Sequence, residues 1–236
     1  MRFPLHITTG TIRHQVVNAL QGNKRYPFVL MLEPLYTCNL ACLGCAIERH
    51  TGKLSDRLPL EKCIEAVETS KAPIVSICGG EPTIYPELPE LVSEIIRRKR
   101  HIYLCTNGLL LDQKVYGVIP PDRRLMINVH LDGMRETHDK VCARDGVFDT
   151  AVEMIREGVR LGHHVMANMT IFKETDVSEV EQVCKLLTGL GVEGLLVSPG
   201  YHYESVERDM FRLVAWNLTG LGPRGGPGGP RSPSVP

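Results

Sequence analysis

The sequence has no net charge: 27 Lys and Arg balance 27 Asp and Glu over 236 residues. With no long-range field to draw it toward nucleic acid or acidic lipid, a nucleic-acid partner is not expected. No apolar run is long enough to span a bilayer. The opening MRFPLHITTGTIRHQVV has no apolar core followed by a small-residue cleavage site, so it does not read as a secretory signal, and the expected location is the cytosol. No GxGxxG follows the first apolar run, which disfavours a dinucleotide fold. There is no internal repeat. What remains, 43% hydrophobic and 23% charged residues, suits one α/β domain with its own core.

Eight cysteines need an explanation in a reducing compartment, where clustering suggests metal or catalysis rather than disulfides. Cys63, Cys78, Cys105, Cys142 and Cys184 are scattered, and most of them are expected as buried small hydrophobes. Cys38, Cys42 and Cys45 crowd together in the string TCNLACLGC.

Apolar runs at Phe28–Leu32, Ile74–Cys78, Ile102–Cys105, Leu125–Leu131, Val165–Phe172 and Gly194–Val197 alternate with helical patterns. Leu88, Leu91, Val92, Ile95 and Ile96 lie on one helical face; Leu60, Cys63, Ile64 and Val67 repeat the spacing, as do Val180, Val183, Cys184 and Leu187. Ala151, Ile155 and Val159 form a looser set before Gly162, a C-cap candidate. Asp176 with Glu179 reads as a helix start. Strand–helix alternation implies parallel pairing with right-handed crossovers. The expected fold class is α/β, a partial (β/α)6 TIM-like barrel, with an open doubly wound sheet as the alternative. Alternation of Asn128 and His130 with Ile127, Val129 and Leu131, and the pairs Asn168/Thr170 and Ser76/Cys78, fit a barrel with a polar lumen. The expected organisation is a helical extension over 1–27 with a helix near Thr11–Leu20, the barrel over 28–204, a last helix over 205–219, and a disordered or out-of-frame Gly/Pro tail over 220–236.

The CxxxCxxC motif follows the first strand, on the loop side where barrels gather function. Thiolates are the usual ligands of iron–sulfur clusters. Three of them can hold three irons of a cubane and leave the fourth open. The alternative is a zinc site with His50 or Cys63 as fourth ligand, but the second CxxC of paired zinc elements is missing, so the cluster is preferred.

This motif after the first strand resembles the signature of the radical S-adenosylmethionine (radical SAM) superfamily. The resemblance implies a [4Fe–4S] cluster on Cys38, Cys42 and Cys45, S-adenosylmethionine on the open iron, a 5′-deoxyadenosyl radical, and an electron donor such as flavodoxin or ferredoxin. Gly79, Gly80, Glu81 and Pro82 are similar to the family's GGEP motif, and Thr106, Asn107 and Gly108 to its TNG. Asn128, His130 and Asp132 at the fourth strand, and Asn168 on the fifth, are implied to meet ribose, carboxylate or substrate. Among these, Gly79, Gly80, Glu81, Asn107, His130 and Asn168 are the cofactor-binding candidates. Gly44 departs from the aromatic that many members carry before the third cysteine.

Over residues 24–204 the strings RYPFVLMLEPLYTCNLACLGC, APIVSICGGEP, YLCTNGLLL, HLDG and VSPGYHYE resemble the adenosyl-hopene transferases of hopanoid biosynthesis. That implies addition of the adenosyl radical to the alkene of a triterpene, diploptene, and peripheral contact with the inner face of the membrane, for which the N-terminal helix is the candidate. Cys105 is then the candidate catalytic hydrogen donor to the product radical, or else a buried strand cysteine. Alternatives are hydrogen abstraction from a peptide or small metabolite, and a non-enzymatic zinc or iron–sulfur module.

Overall fold

Residues 5–45, 51–172 and 175–200 are described in the structure, a computed structural model. Six strands, β1 (Val29–Leu32), β2 (Ile74–Ile77), β3 (His101–Thr106), β4 (Leu125–His130), β5 (His164–Ile171) and β6 (Gly194–Pro199), pair in parallel and in sequential order. That order never reverses, which excludes the doubly wound sheet and its switch point. The strands form a half-barrel. Each apolar run of the sequence became one strand, its ends shifted by no more than about two residues, because apolar stretches of this length between turn signals can be buried only as strands under helices.

The described helices are α1 (Leu5–Leu20), α2 (Leu60–Ser70), α3 (Leu88–Arg97), α4 (Leu111–Lys114), α5 (Arg135–Cys142), α6 (Val147–Arg160) and α7 (Val177–Gly189). In α3 the periodic positions Leu88, Leu91, Val92 and Ile95 are all buried. Each such side chain contributes roughly 1.5–3 kcal/mol. They pack on the outward faces of the strands, where Ile102 and Leu104 of β3 and Leu125, Ile127 and Val129 of β4 join the same core. The alternate residues of β3 and β4, including Cys105, Asn128 and His130, face the lumen.

Helix α1 starts earlier than expected, at Leu5, and leaves Ile12, Val16 and Leu20 exposed along one side. No helix among the described residues is long and apolar enough to cross a membrane. Asp176 caps α7, its Oδ1 accepting from the Ser178 N–H at 2.8 Å. Glu179 does not complete that cap as expected. It accepts instead from the Met134 N–H (3.0 Å) and the Thr137 hydroxyl (2.8 Å), so its carboxylate ties α7 to the start of α5. Gly162 follows α6 with φ +83°, the left-handed stop that favours glycine. The expected last helix and Gly/Pro tail lie outside the described residues.

Candidate functional site

The segment after β1 is laid against the end of β2 by backbone bonds. Cys78 N–H donates to Leu32 O, Gly80 N–H to Leu35 O and Glu81 N–H to Thr37 O, each at 2.9 Å. This pairing delivers Cys38 to the strand mouth. It also explains the two glycines. Gly79 has φ +112°, and a Cβ on Gly79 or Gly80 would strike the Leu35 or Thr37 carbonyl oxygen. Sequence reasoning assigned these glycines to close approach of a ligand; the protein's own backbone already requires them.

Glu81 is buried at the same corner. Oε1 accepts from the Thr83 N–H (3.0 Å), the Thr83 hydroxyl (2.6 Å) and the Thr106 hydroxyl (2.7 Å), and Oε2 accepts from the Asn107 N–H (2.8 Å). Burial pushes its pKa up and these donors pull it back. The carboxylate thus clamps the end of β2 to the end of β3. Asn107 extends the clamp to the cysteine loop, its Nδ2 donating to Asn39 Oδ1 at 2.7 Å.

A cavity of about 530 Å³ opens beside this clamp. Cys38, Cys42 and Cys45 line it, with Gly79, Gly80, Glu81 and Asn107 on one side and Cys105, His130 and Asn168 on the other. The three cysteines, the six cofactor-binding candidates and Cys105 therefore all border one space, whereas Asn128 is not part of its lining and donates instead to Cys105 Sγ. Cys63 does not border it: it is buried, with its sulfur 3.9 Å from the Tyr85 hydroxyl, so it is unavailable as a fourth zinc ligand. His50 lies outside the described residues. Among the described residues no three His, Cys, Asp or Glu side chains converge on a single ion. A cubane asks for a different geometry, with each thiolate on its own iron, and three soft sulfurs on one loop fit that demand. Burial pushes the Cys38 thiol up to about 12, and the Cys142 hydrogen bond and then burial raise Cys42. Metal binding must displace those protons.

On the far wall, His130 Nε2 lies 2.5 Å from Asp132 Oδ2, and His130 Nδ1 meets the Asn168 carboxamide at 2.6 Å. Burial opposes a charge on His130, but the Asp132 carboxylate outweighs it and lifts the pKa to about 9. Asp132 Oδ1 accepts from the Thr170 N–H at 2.7 Å, which fixes the carboxylate. One end of the Asn128 carboxamide and one end of the Asn168 carboxamide find no partner among the described residues. Of the two, Asn168 lines the cavity, and a buried orphan acceptor there fits a hydroxyl or the ammonium of S-adenosylmethionine. Cys105 sits between Ser76 Oγ (3.6 Å) and Asn128 Nδ2 (3.7 Å). Burial raises its pKa, and these two contacts lower it less, so it is a neutral thiol facing the cavity.

Sequence reasoning missed several residues of this cavity, three of them close to the cysteine loop. Cys142 and His138, from α5, line the cavity beside Cys42. Phe172, just past β5, sets its ring against Gly44. The motif strings were visible along the chain, whereas these contacts join segments far apart in sequence.

The radical SAM superfamily profile matches residues 32–187. The chain is 28% identical over 171 residues to an Fe-coproporphyrin III synthase of Methanosarcina barkeri, covering 71% of this chain and 43% of that protein. It is 26% identical over 168 residues to the mycofactocin maturase MftC of Mycobacterium tuberculosis, covering 70% and 43%. It thus spans less than half the length of these relatives. Streptococcus suis SuiB has a similar fold. Its complex with S-adenosylmethionine superposes at TM-score 0.70 with 15% identity, covering 85% of this chain and 47% of SuiB. The complex with precursor peptide SuiA gives 0.68 with 16% identity, covering 80% and 43%.

Proposed function

The chain belongs to the radical SAM superfamily, and from that premise we propose that Cys38, Cys42 and Cys45 hold its [4Fe–4S] cluster beside a bound S-adenosylmethionine. The observation that carries the reading is the single cavity bordered by all three cysteines and by the partly unpartnered Asn168 carboxamide. When bound, the cofactor pair supplies one electron to the sulfonium and so generates a 5′-deoxyadenosyl radical and methionine. The chain's own residues bind and orient. Gly79 and Gly80 keep the β2 corner low, Glu81 and Asn107 fix the cysteine loop, and His130 and Asn168 offer polar contacts to the nucleoside and amino-acid parts. The electron comes from a one-electron donor such as a flavodoxin or ferredoxin.

For the radical's fate, the relatives support hydrogen abstraction from a peptide or small metabolite. They carry the names of a maturase and a tetrapyrrole synthase, and SuiB was crystallised with a precursor peptide. One observation favours a second reading, addition to an alkene such as that of diploptene. Cys105 is a buried neutral thiol in the same cavity, suited to give a hydrogen atom to the carbon radical that addition leaves. The resulting thiyl radical would then take one electron from the reductant and a proton from solvent to restore the thiol. Exposed Ile12, Val16 and Leu20 on α1 support peripheral attachment for a lipid substrate of this kind.

The test is anaerobic incubation of the reconstituted chain with S-adenosylmethionine and dithionite, with and without diploptene, followed by mass spectrometry. Abstraction releases 5′-deoxyadenosine, whereas addition moves the adenosyl group into a hopanoid product. Cys105→Ala should then lower adduct yield or change its products. Unaltered adduct formation would remove Cys105 from the reaction, and a chain that cleaves no S-adenosylmethionine would overturn the reading as a whole.

A further inference from the structure

At the starts of the strands a second cavity, of about 350 Å³, lies between α1 and the turn that ends α3. Gly10 lets the helix sit close: a β-carbon on it would come within 3.3 Å of His101 Nε2, at the first residue of β3. The α3 turn carries Arg98, Lys99 and Arg100 in succession, with Lys99 at φ +58° and its N–H donating to Ile96 O at 2.8 Å. Arg13 of α1 borders the same cavity, and among the described residues no acidic side chain does. Arg98 is neutralised by Glu68 and Glu94. Arg13, Lys99 and Arg100 form no ion pair among the described residues, and Arg100 Nε is buried without a hydrogen bond. A buried guanidinium edge with nothing to donate to calls for an anion, and the arginine fork matches phosphate.

The pocket is the centre of a wider imbalance. The chain is neutral overall, yet residues 1–32 contain Arg2, Arg13, Lys24 and Arg25 and no Asp or Glu. Beside the pocket, α1 carries Ile12, Val16 and Leu20, four residues apart and each more than half exposed. Arg13 and Val17 come one position later and border the pocket, so a positive flank and an apolar flank adjoin on one helix. A soluble phosphate ester would fill the pocket and leave the apolar stripe in water. A phospholipid surface satisfies both, with phosphates for the pocket and the acyl boundary for the stripe.

We propose that the pocket beside α1 binds the phosphate of an anionic phospholipid headgroup, with the apolar stripe of α1 set into the membrane surface next to it. The site is independent of the cluster assignment. Pro73 and His101 border it at the starts of β2 and β3, while the three cysteines gather at the other ends of the strands. Vesicle binding therefore reads it even in a chain that cleaves no S-adenosylmethionine.

The experiment is co-sedimentation of the full chain with vesicles of phosphatidylcholine alone and of phosphatidylcholine mixed with phosphatidylglycerol. Wild type should pellet with the mixed vesicles and stay in solution with the neutral ones. Arg13→Gln with Lys99→Gln, two exposed positions, should weaken binding about 25-fold, at about fivefold for each basic residue near an anionic surface. Leu20→Ser should weaken it by at least about tenfold. The charge-matched control Lys62→Gln with Lys185→Gln, on α2 and α7 and outside the pocket, should bind like wild type. A control as weak as the pocket variant would show that net charge alone acts and would overturn the inference, as would equal pelleting with both vesicles. Pelleting with neither overturns it too. Calorimetric binding of glycerol phosphate would then give the pocket to a soluble ester, and a dimer that Leu20→Ser dissolves would give the stripe to a second copy.

Discussion

The ring of Phe172 lies directly on Gly44: a β-carbon at position 44 would come within 2.5 Å of that ring. Gly44 sits between Cys42 and Cys45 of the CxxxCxxC motif, and Phe172 leaves the end of β5. Both line the cavity. The aromatic surface missing from the cysteine loop is thus present in space, brought from a different strand, and the absent side chain at 44 is what admits it.

This contact predicts a reciprocal pair of variants. Gly44→Phe should clash with Phe172, and Phe172→Ala should leave a gap. Each alone should weaken S-adenosylmethionine binding to the reconstituted protein, measured by equilibrium dialysis under anaerobic conditions. The double variant, with the ring moved to position 44, should recover part of the loss. A coupling of about 0.5–3 kcal/mol is expected for residues in contact. Strictly additive losses would show that the ring and the glycine do not share one role.

Single replacement of Cys38, Cys42 or Cys45 by Ala should leave the half-barrel folded, as judged by circular dichroism, because none of these thiols sits in the main core. Iron content after reconstitution should fall well below the four irons per chain expected of the parent, and S-adenosylmethionine cleavage should be lost. Retained iron in all three would place the metal elsewhere. Cys63→Ala offers the contrast: it should retain iron while costing about 1–3 kcal/mol of stability, since that sulfur is buried in the core against Tyr85.

The barrel was legible because each strand is a short apolar run and each major crossover helix keeps a helical period, so one-dimensional pattern and three-dimensional burial coincide. The residues that gather around the cavity were legible where local strings carried them: TCNLACLGC, GGEP, TNG. Helix α5 was not. Its sequence, RETHDKVC, is mostly polar, and its buried His138, Val141 and Cys142 are too few to mark a period. Cys142 read as one more small hydrophobe because its place beside Cys42 on the cavity joins positions a hundred residues apart. Glu179 looked like a local cap because that is the commonest use of an acid three residues into a helix, but α5, missing from the sequence reading, was there to take it.

Glu81 predicts a loss of geometry rather than of charge alone. Its two oxygens accept four hydrogen bonds from Thr83, Thr106 and Asn107. In Glu81→Gln one end becomes an NH2 facing donors, which leaves at least one buried donor unsatisfied and should cost about 1–3 kcal/mol. Denaturant unfolding reads that cost. Because the clamp positions Asn107 and through it Asn39 beside Cys38, iron uptake should also slow. Glu81→Gln with wild-type stability would mean that the corner tolerates the loss of its carboxylate.

His138 sets an acid limit on stability. Its ring is buried, Nδ1 accepts from the Asp132 N–H, and burial drives its pKa down to about 4. In the unfolded chain the same ring protonates near ~6.5. Between those two values the unfolded state binds a proton that the folded state refuses, so stability must fall as pH drops through the window and be intact above it. At full protonation of the unfolded ring the difference approaches about 3 kcal/mol. His130 acts in the opposite sense. Its pKa, raised to about 9 by Asp132, contributes stability that is present at low pH and fades as pH climbs toward that value. Anaerobic unfolding curves at a series of pH values from about 4 to about 9.5, for wild type and His138→Gln, separate the two. The variant should lose the decline between about 6.5 and 4 while keeping the alkaline one. Parallel acid limbs in both proteins would mean that some other group carries the acid sensitivity.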